Sequence, residues 1–149
     1  SMSWKDAENL RSEWNGPFCL KGIMSVDDAK KAVDIGATAI MISNHGGRQL
    51  DGSISPIEQL SSIVDSVGGK IEIILDGGIR RGSHVLKALT LGATACSGGR
   101  LYLYALGAAG QRGVEKALFN IRQEIERDMR LMGVTKISEL NSSMINKKI

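Results

Sequence analysis

An α/β domain built on a parallel sheet is the architecture this sequence predicts, and three observations lead to it. Short apolar runs of strand length alternate with amphipathic segments of helix length, four times over. The strand runs are continuously apolar rather than alternating, as expected when both faces of a sheet are covered. Glycines and polar residues gather where each strand run ends and the next helix begins. No linker-like stretch interrupts the chain, so residues 1–149 are read as one domain.

Residues Trp4 to Trp14 predict a leading helix. The first strand is Phe18 to Lys21, ended by Gly22. Its helix opens on Ser25 as N-cap, carries Asp27 and Asp28 in its first turn, and closes at Gly36. Ala39 to Ser43 is the second strand; its helix runs from Pro56 to Val67 with Ile57, Leu60, Ile63 and Val64 on one face. Ile71 to Leu75 is the third strand, followed by a helix from Ser83 to Leu91 that Gly92 terminates. Ala93 to Ser97 is the fourth. A short helix is expected over Tyr102 to Ala109, then a long one over Val114 to Met132 with Ala117, Leu118, Ile121, Ile125 and Met129 as its apolar stripe. The tail beyond Asn141 reads as polar and frayed. Four βα units fit either a small doubly wound sheet or half of an eight-stranded barrel, since a whole barrel takes typically about 250 residues.

Composition narrows the function classes. At 42% hydrophobic residues the chain can build a core, and its charge of +3 permits an anionic ligand without demanding nucleic acid. Aromatics are only 4%, too few to interleave stacking platforms with the basic residues, so no nucleic-acid partner is expected. Cys19 and Cys96 lie far apart and next to apolar residues, which predicts buried free thiols and a reducing compartment, the cytoplasm. No apolar run approaches membrane-spanning length and no leader is evident. Peripheral contact with the inner face of the cell membrane stays open. Ser1, ahead of Met2, reads as a residue left by tag removal.

Chemistry in such folds collects at the C-terminal ends of strands. After the second strand comes Ser43-Asn44-His45-Gly46-Gly47-Arg48-Gln49-Leu50-Asp51. Histidine is the side-chain type whose charge changes near neutrality, which makes His45 a candidate base, and Arg48 carries a planar fork suited to a carboxylate. An exposed glycine-rich turn, with His45 bonding only its neighbours, has the same composition. After the third strand comes Asp76-Gly77-Gly78-Ile79-Arg80-Arg81-Gly82-Ser83, and after the fourth Ser97-Gly98-Gly99-Arg100. Glycines ahead of helices expose N–H groups to phosphate, and loops after successive barrel strands form such sites. Lys21 ends an apolar strand, where a charge needs an anion or a route to water. His84, in the first turn of a helix, is read as surface.

The segment from Ser43 to Asp51 closely resembles the signature loop of the FMN-dependent α-hydroxy-acid oxidases and dehydrogenases. Asp76 to Gly82, Lys87-Ala88-Leu89 and Leu91-Gly92-Ala93 resemble that family's flavin-phosphate segment; Leu101 to Ala105 and Ala109-Gly110-Gln111 resemble its bacterial L-lactate dehydrogenases. The likeness runs from about Ser3 to Leu140 and covers the second half of the family's barrel. It implies the C-terminal half of a (β/α)8 barrel with four parallel βα units, FMN as cofactor, and oxidation of a small L-2-hydroxy acid such as lactate. On the same grounds His45 is the base, Arg48 the clamp on the substrate carboxylate, and Lys21 the cation beside the flavin ring. Ser43 would touch the flavin. Asp76, Gly77, Gly78, Ile79 and Arg80 would hold its ribityl phosphate, and Gly99 and Arg100 would complete the phosphate site.

Two departures qualify this. Gly98 stands where the family has a bulky apolar residue, and Leu101 where proline is frequent. The family's substrate tyrosines and the aspartate that orients its histidine belong to the other half-barrel. The expected partners are therefore a hydroxy acid and either a matching N-terminal half-barrel or a second copy. Self-association would bury inward strand residues, with Leu20, Met41, Ile42 and Ile74 expected to contribute. The competing reading is an inactive half-barrel that binds phosphate only.

Overall fold

A computed structural model describes residues 2–146 of the chain. Its principal elements are α1 (Trp4–Glu13), β1 (Cys19–Lys21), α2 (Val26–Asp34), β2 (Ala39–Ile42), α3 (Pro56–Val67), β3 (Glu72–Asp76), α4 (Gly82–Thr90), β4 (Ala95–Ser97) and α5 (Arg100–Met132).

Local chemistry explains the helix starts. The Ser25 hydroxyl accepts the Asp28 N–H at 3.1 Å and opens α2. Ser55 and Glu58 form a capping box ahead of Pro56, whose missing N–H is harmless at the first helical position. Leu60 and Ile63 of α3, like Ala29 and Ala32 of α2, are fully buried, as their spacing predicts.

The strands are parallel and pair in the order β1-β2-β3-β4. Each step moves one strand in the same direction, and parallel crossovers are right-handed, so α2, α3 and α4 all cover one face. A doubly wound sheet reverses direction and places helices on both faces; this arrangement is half of a (β/α)8 barrel. Burial agrees. Ile40, Ile42, Ile73 and Leu75 point to the helices and are at most 2% exposed. The opposite, inward face carries layers set by the register: Cys19, Ala39 and Glu72; then Lys21, Met41, Ile74 and Ala95; then Asp76 beside Ser97.

That register corrects several expectations. Met41 and Ile74 face inward, but Leu20 and Ile42 face the helices and are not part of the open face. Cys19 is exposed because it lies on the inward face; Cys96 faces the helices, half-buried, and burial pushes its thiol up to about 11. The fourth strand starts at Ala95 rather than Ala93, because the Ala93 N–H is taken by Ala88 O at the end of α4. The two C-terminal helices are one element, α5, broken by non-helical Ala109 and Gly110. Ala117, Ile121, Ile125 and Met129 are half-buried, whereas Leu118, one step around the helix, is 56% exposed. The tail is less frayed than its composition suggests: Ile145 packs against the core. Residues 147–149 lie outside the described part.

Candidate functional site

The C-terminal ends of the strands meet in one polar network. The Lys21 ammonium at the end of β1 donates to Asp76 Oδ2 and to Ser43 Oγ, both at 2.8 Å. Ser43, just past β2 and 1% exposed, donates to Asp76 Oδ2 at 2.6 Å and accepts the His45 N–H at 3.1 Å. Its hydroxyl is thereby saturated, one donor and two acceptor positions used. The anion that Lys21 requires is thus Asp76, in the same chain. Burial opposes ionisation of Asp76, but hydrogen bonds from Lys21, Ser43 and Ser97, together with the Lys21 charge, outweigh it and hold the carboxyl below its ordinary value.

The loop beyond β2 is held in an unusual shape. His45, Gly46 and Gly47 all have positive φ, of 56°, 71° and 71°. Two glycines adopt it freely, whereas for His45 it costs roughly 1–2 kcal/mol. An Asn44 cap supports the turn: its Oδ1 accepts the Gly46 N–H at 3.1 Å, and its carbonyl the Gly47 N–H at 3.1 Å. The result lays the His45 imidazole over Gly22, where an added Cβ would come within 3.3 Å of Nε2. Among the described residues nothing hydrogen-bonds the ring.

Both glycine-arginine loops open on this same end of the sheet. A cleft of about 140 Å³ is lined by His45, Arg48, Gly78, Arg80, Gly99 and Arg100, among others. Beside it a recess of about 380 Å³ shares His45, Arg48, Asp76 and Gly99 and adds Lys21, Gln49, Ser97 and Tyr102. A larger concavity of about 530 Å³, lined by Thr38, Lys70 and Glu72, lies at the opposite end of the strands, far from these groups. Among the described residues Arg48, Arg80 and Arg100 have no carboxylate partner. Arg100 reaches only a carbonyl, Gly46 O, at 2.9 Å. The one carboxylate in the cleft, Asp76, is committed to Lys21. Net positive charge therefore faces open space.

Which backbone amides are available differs from the sequence reading. The start of α4 is taken: Glu124 of α5 accepts the Gly82 N–H at 2.7 Å and pairs with Arg81 at 2.8 Å. The start of α5 has Gly99 as N-cap and no side-chain cap, so its first N–H groups remain for a ligand. Nothing lies within 4 Å of where a Cβ would stand on Gly78 or Gly99, which leaves room for a phosphate against the backbone. Ile79 contributes backbone only, its side chain being in the core. At Gly98, Leu101 Cδ2 folds back to within 3.3 Å of an added Cβ and fills part of the space a bulky residue would take. His84 is not merely surface, because its Nδ1 lies 3.0 Å from Gly78 O. Gly82 and Glu124 meet across 42 residues, a distance no local motif signals, whereas His84 reaches back only four and six residues to Arg80 and Gly78.

Half of a (β/α)8 barrel with a cationic cleft across its last two βα loops has the arrangement in which barrels of this class hold phosphate groups. The profile of the family described as FMN-dependent dehydrogenase matches residues 1–147, and the chain belongs to that family. It is 49% identical over 145 residues to the L-lactate dehydrogenase of Alcaligenes faecalis, covering 97% of this chain and 38% of that protein. It is 50% identical over 138 residues to the pre-mycofactocin synthase of Mycolicibacterium smegmatis (strain ATCC 700084 / mc(2)155), covering 93% and 35%. A solved structure of a flavocytochrome b2 variant with sulfite bound superimposes with a TM-score of 0.94 at 45% identity, covering 99% of this chain and 39% of that one. The chain thus spans just over a third of the length of these relatives.

Proposed function

We propose that this chain is the phosphate-binding, proton-abstracting half of an FMN-dependent enzyme that oxidises a small L-2-hydroxy acid, with L-lactate to pyruvate as the specific reaction. One observation carries the reading: His45 and Arg48 share a cleft with the unpaired Arg80 and Arg100 and the open amides at Gly99. The cleft suits FMN, since its guanidiniums, which no carboxylate claims, and its uncapped α5 start complement a phosphate dianion. Gly78 and Gly99 would let the phosphate approach the backbone, and Arg80 and Arg100 would neutralise it. When bound, FMN supplies the electron acceptor. Arg48 fixes the substrate carboxylate through its planar fork, which orients the hydroxyl-bearing carbon. His45 takes up the proton the hydroxy acid loses. Lys21, held by Asp76 and Ser43, presents a fixed positive charge to the recess beside His45.

A second reading applies to the 149 residues by themselves, an inactive half-barrel that binds phosphate only. The unpartnered His45 ring favours it, because a catalytic histidine needs a group that fixes its tautomer and orientation. One experiment addresses both. The purified chain is assayed for lactate oxidation alone and after complementation with a matching N-terminal half. No turnover alone and restored turnover on complementation are expected. In the restored enzyme His45→Gln should lower kcat roughly 10²–10⁴-fold; near-normal activity in that variant would remove His45 from the mechanism.

A further inference from the structure

The loop from Gly77 to Ile79 is a wall with a cavity on each side. In front lies the cationic cleft; behind lies a cavity of about 240 Å³ lined by Ile57, Leu75, His84 and Lys87. His84 grips the wall from behind with a single atom. Its Nδ1 is 3.0 Å from Gly78 O and 3.3 Å from the Arg80 amide nitrogen, which donates to it. One ring nitrogen cannot serve both. With Nδ1 unprotonated it accepts the Arg80 N–H but sets its lone pair against that of Gly78 O. With Nδ1 protonated it donates to Gly78 O, and the Arg80 N–H is released.

We propose that His84 is a positioning residue of the anion-holding loop, and that its protonation strengthens anion binding by freeing the Arg80 N–H and adding a positive charge behind Gly78. This rests on the reading of the front cleft as an anion site. Charged groups around His84 are Lys87 on its own helix and Arg80 in the loop; at the start of the helix α5 presents Glu124, which is paired with Arg81, while α3 and β3 present apolar Ile57 and Leu75. Across the loop the titratable groups are His45 and Asp76. Asp76 is already held ionised by Lys21, which leaves His45 as the other imidazole that faces the cleft.

Sulfate is the suitable probe, because a phosphate monoester itself gains a proton near pH about 6. Sulfate affinity of the 149-residue chain is measured by calorimetry at pH 5 and pH 8, either side of ordinary imidazole titration at about 6.5. Wild type and His45→Gln should each bind roughly threefold to tenfold tighter at the lower pH, the effect of about one hydrogen bond. In the His45→Gln background, His84→Asn, which cannot titrate, should lose that difference. Independently of any variant, the Arg80 amide resonance of the wild type should shift with the same midpoint as the His84 ring. A pH effect that survives in the double variant His45→Gln/His84→Asn, or that vanishes in His45→Gln alone, would overturn the proposal, as would an Arg80 amide blind to the His84 titration. Sulfate binding in the wild type with no pH dependence would overturn it while leaving the anion site standing. No sulfate binding at either pH would overturn the site reading and this inference together.

Discussion

Replacing Asp76 by Asn tests whether the strand-end network holds the sheet's active end together. Asp76 receives Lys21 at 2.8 Å and Ser43 at 2.6 Å, and its side chain is only 15% exposed. Hydrogen bonds to a charged acceptor contribute about 1.5–3 kcal/mol, but an amide keeps one acceptor oxygen and so retains part of this. The Lys21 side chain is 46% exposed, so solvent screens the ion pair itself to about 0–1 kcal/mol. A net loss of about 1.5–3 kcal/mol follows, or a fall in Tm of roughly 4–10 °C for a chain of this size. The pH dependence has a definite sign. The folded carboxyl sits below its ordinary value, so its contribution is fully present above an unfolded pKa of about 3.9 and is lost as pH falls through the lower, folded value. Urea unfolding followed by circular dichroism should therefore give a constant gap between wild type and Asp76→Asn from about pH 5 to 8, narrowing below about pH 4. A gap under about 0.5 kcal/mol at pH 7, less than one typical hydrogen bond, would refute the reasoning. So would a gap that widens on acidification.

Two further outcomes follow from the same geometry. Arg80→Ala and Arg100→Ala should each weaken binding of FMN or inorganic phosphate roughly 10–100-fold, since each removes a charge-assisted hydrogen bond from a cleft without competing carboxylates; calorimetry that finds either variant equal to wild type would remove that arginine from the site. Gly82→Ala should destabilise the fold by about 1–3 kcal/mol, because its Cβ would lie 2.6 Å from the Ile125 backbone nitrogen and force α4 away from α5. An unchanged thermal midpoint would show that this helix contact yields without strain.

The sequence by itself determined the elements and much of the loop chemistry, because both are local. Ser25 capping α2, Pro56 opening α3 and the Leu60–Ile63 face depend on residues within a turn or two of one another. His45 and Arg48 lie three residues apart, so a single loop brings them to one cleft and their types alone suggested a base and a clamp. Only the tertiary structure decided the rest. The uniform strand order chose the half-barrel over the doubly wound sheet, and strand register decided that Met41 and Ile74, not Leu20 and Ile42, face inward. Lys21 finds Asp76 across 55 residues and Gly82 finds Glu124 across 42, at separations where composition carries no information about proximity. The start of α4 shows the consequence: its glycines read as a phosphate cradle until a carboxylate from α5 claims the Gly82 N–H, leaving the uncapped start of α5 as the helix terminus open to an anion.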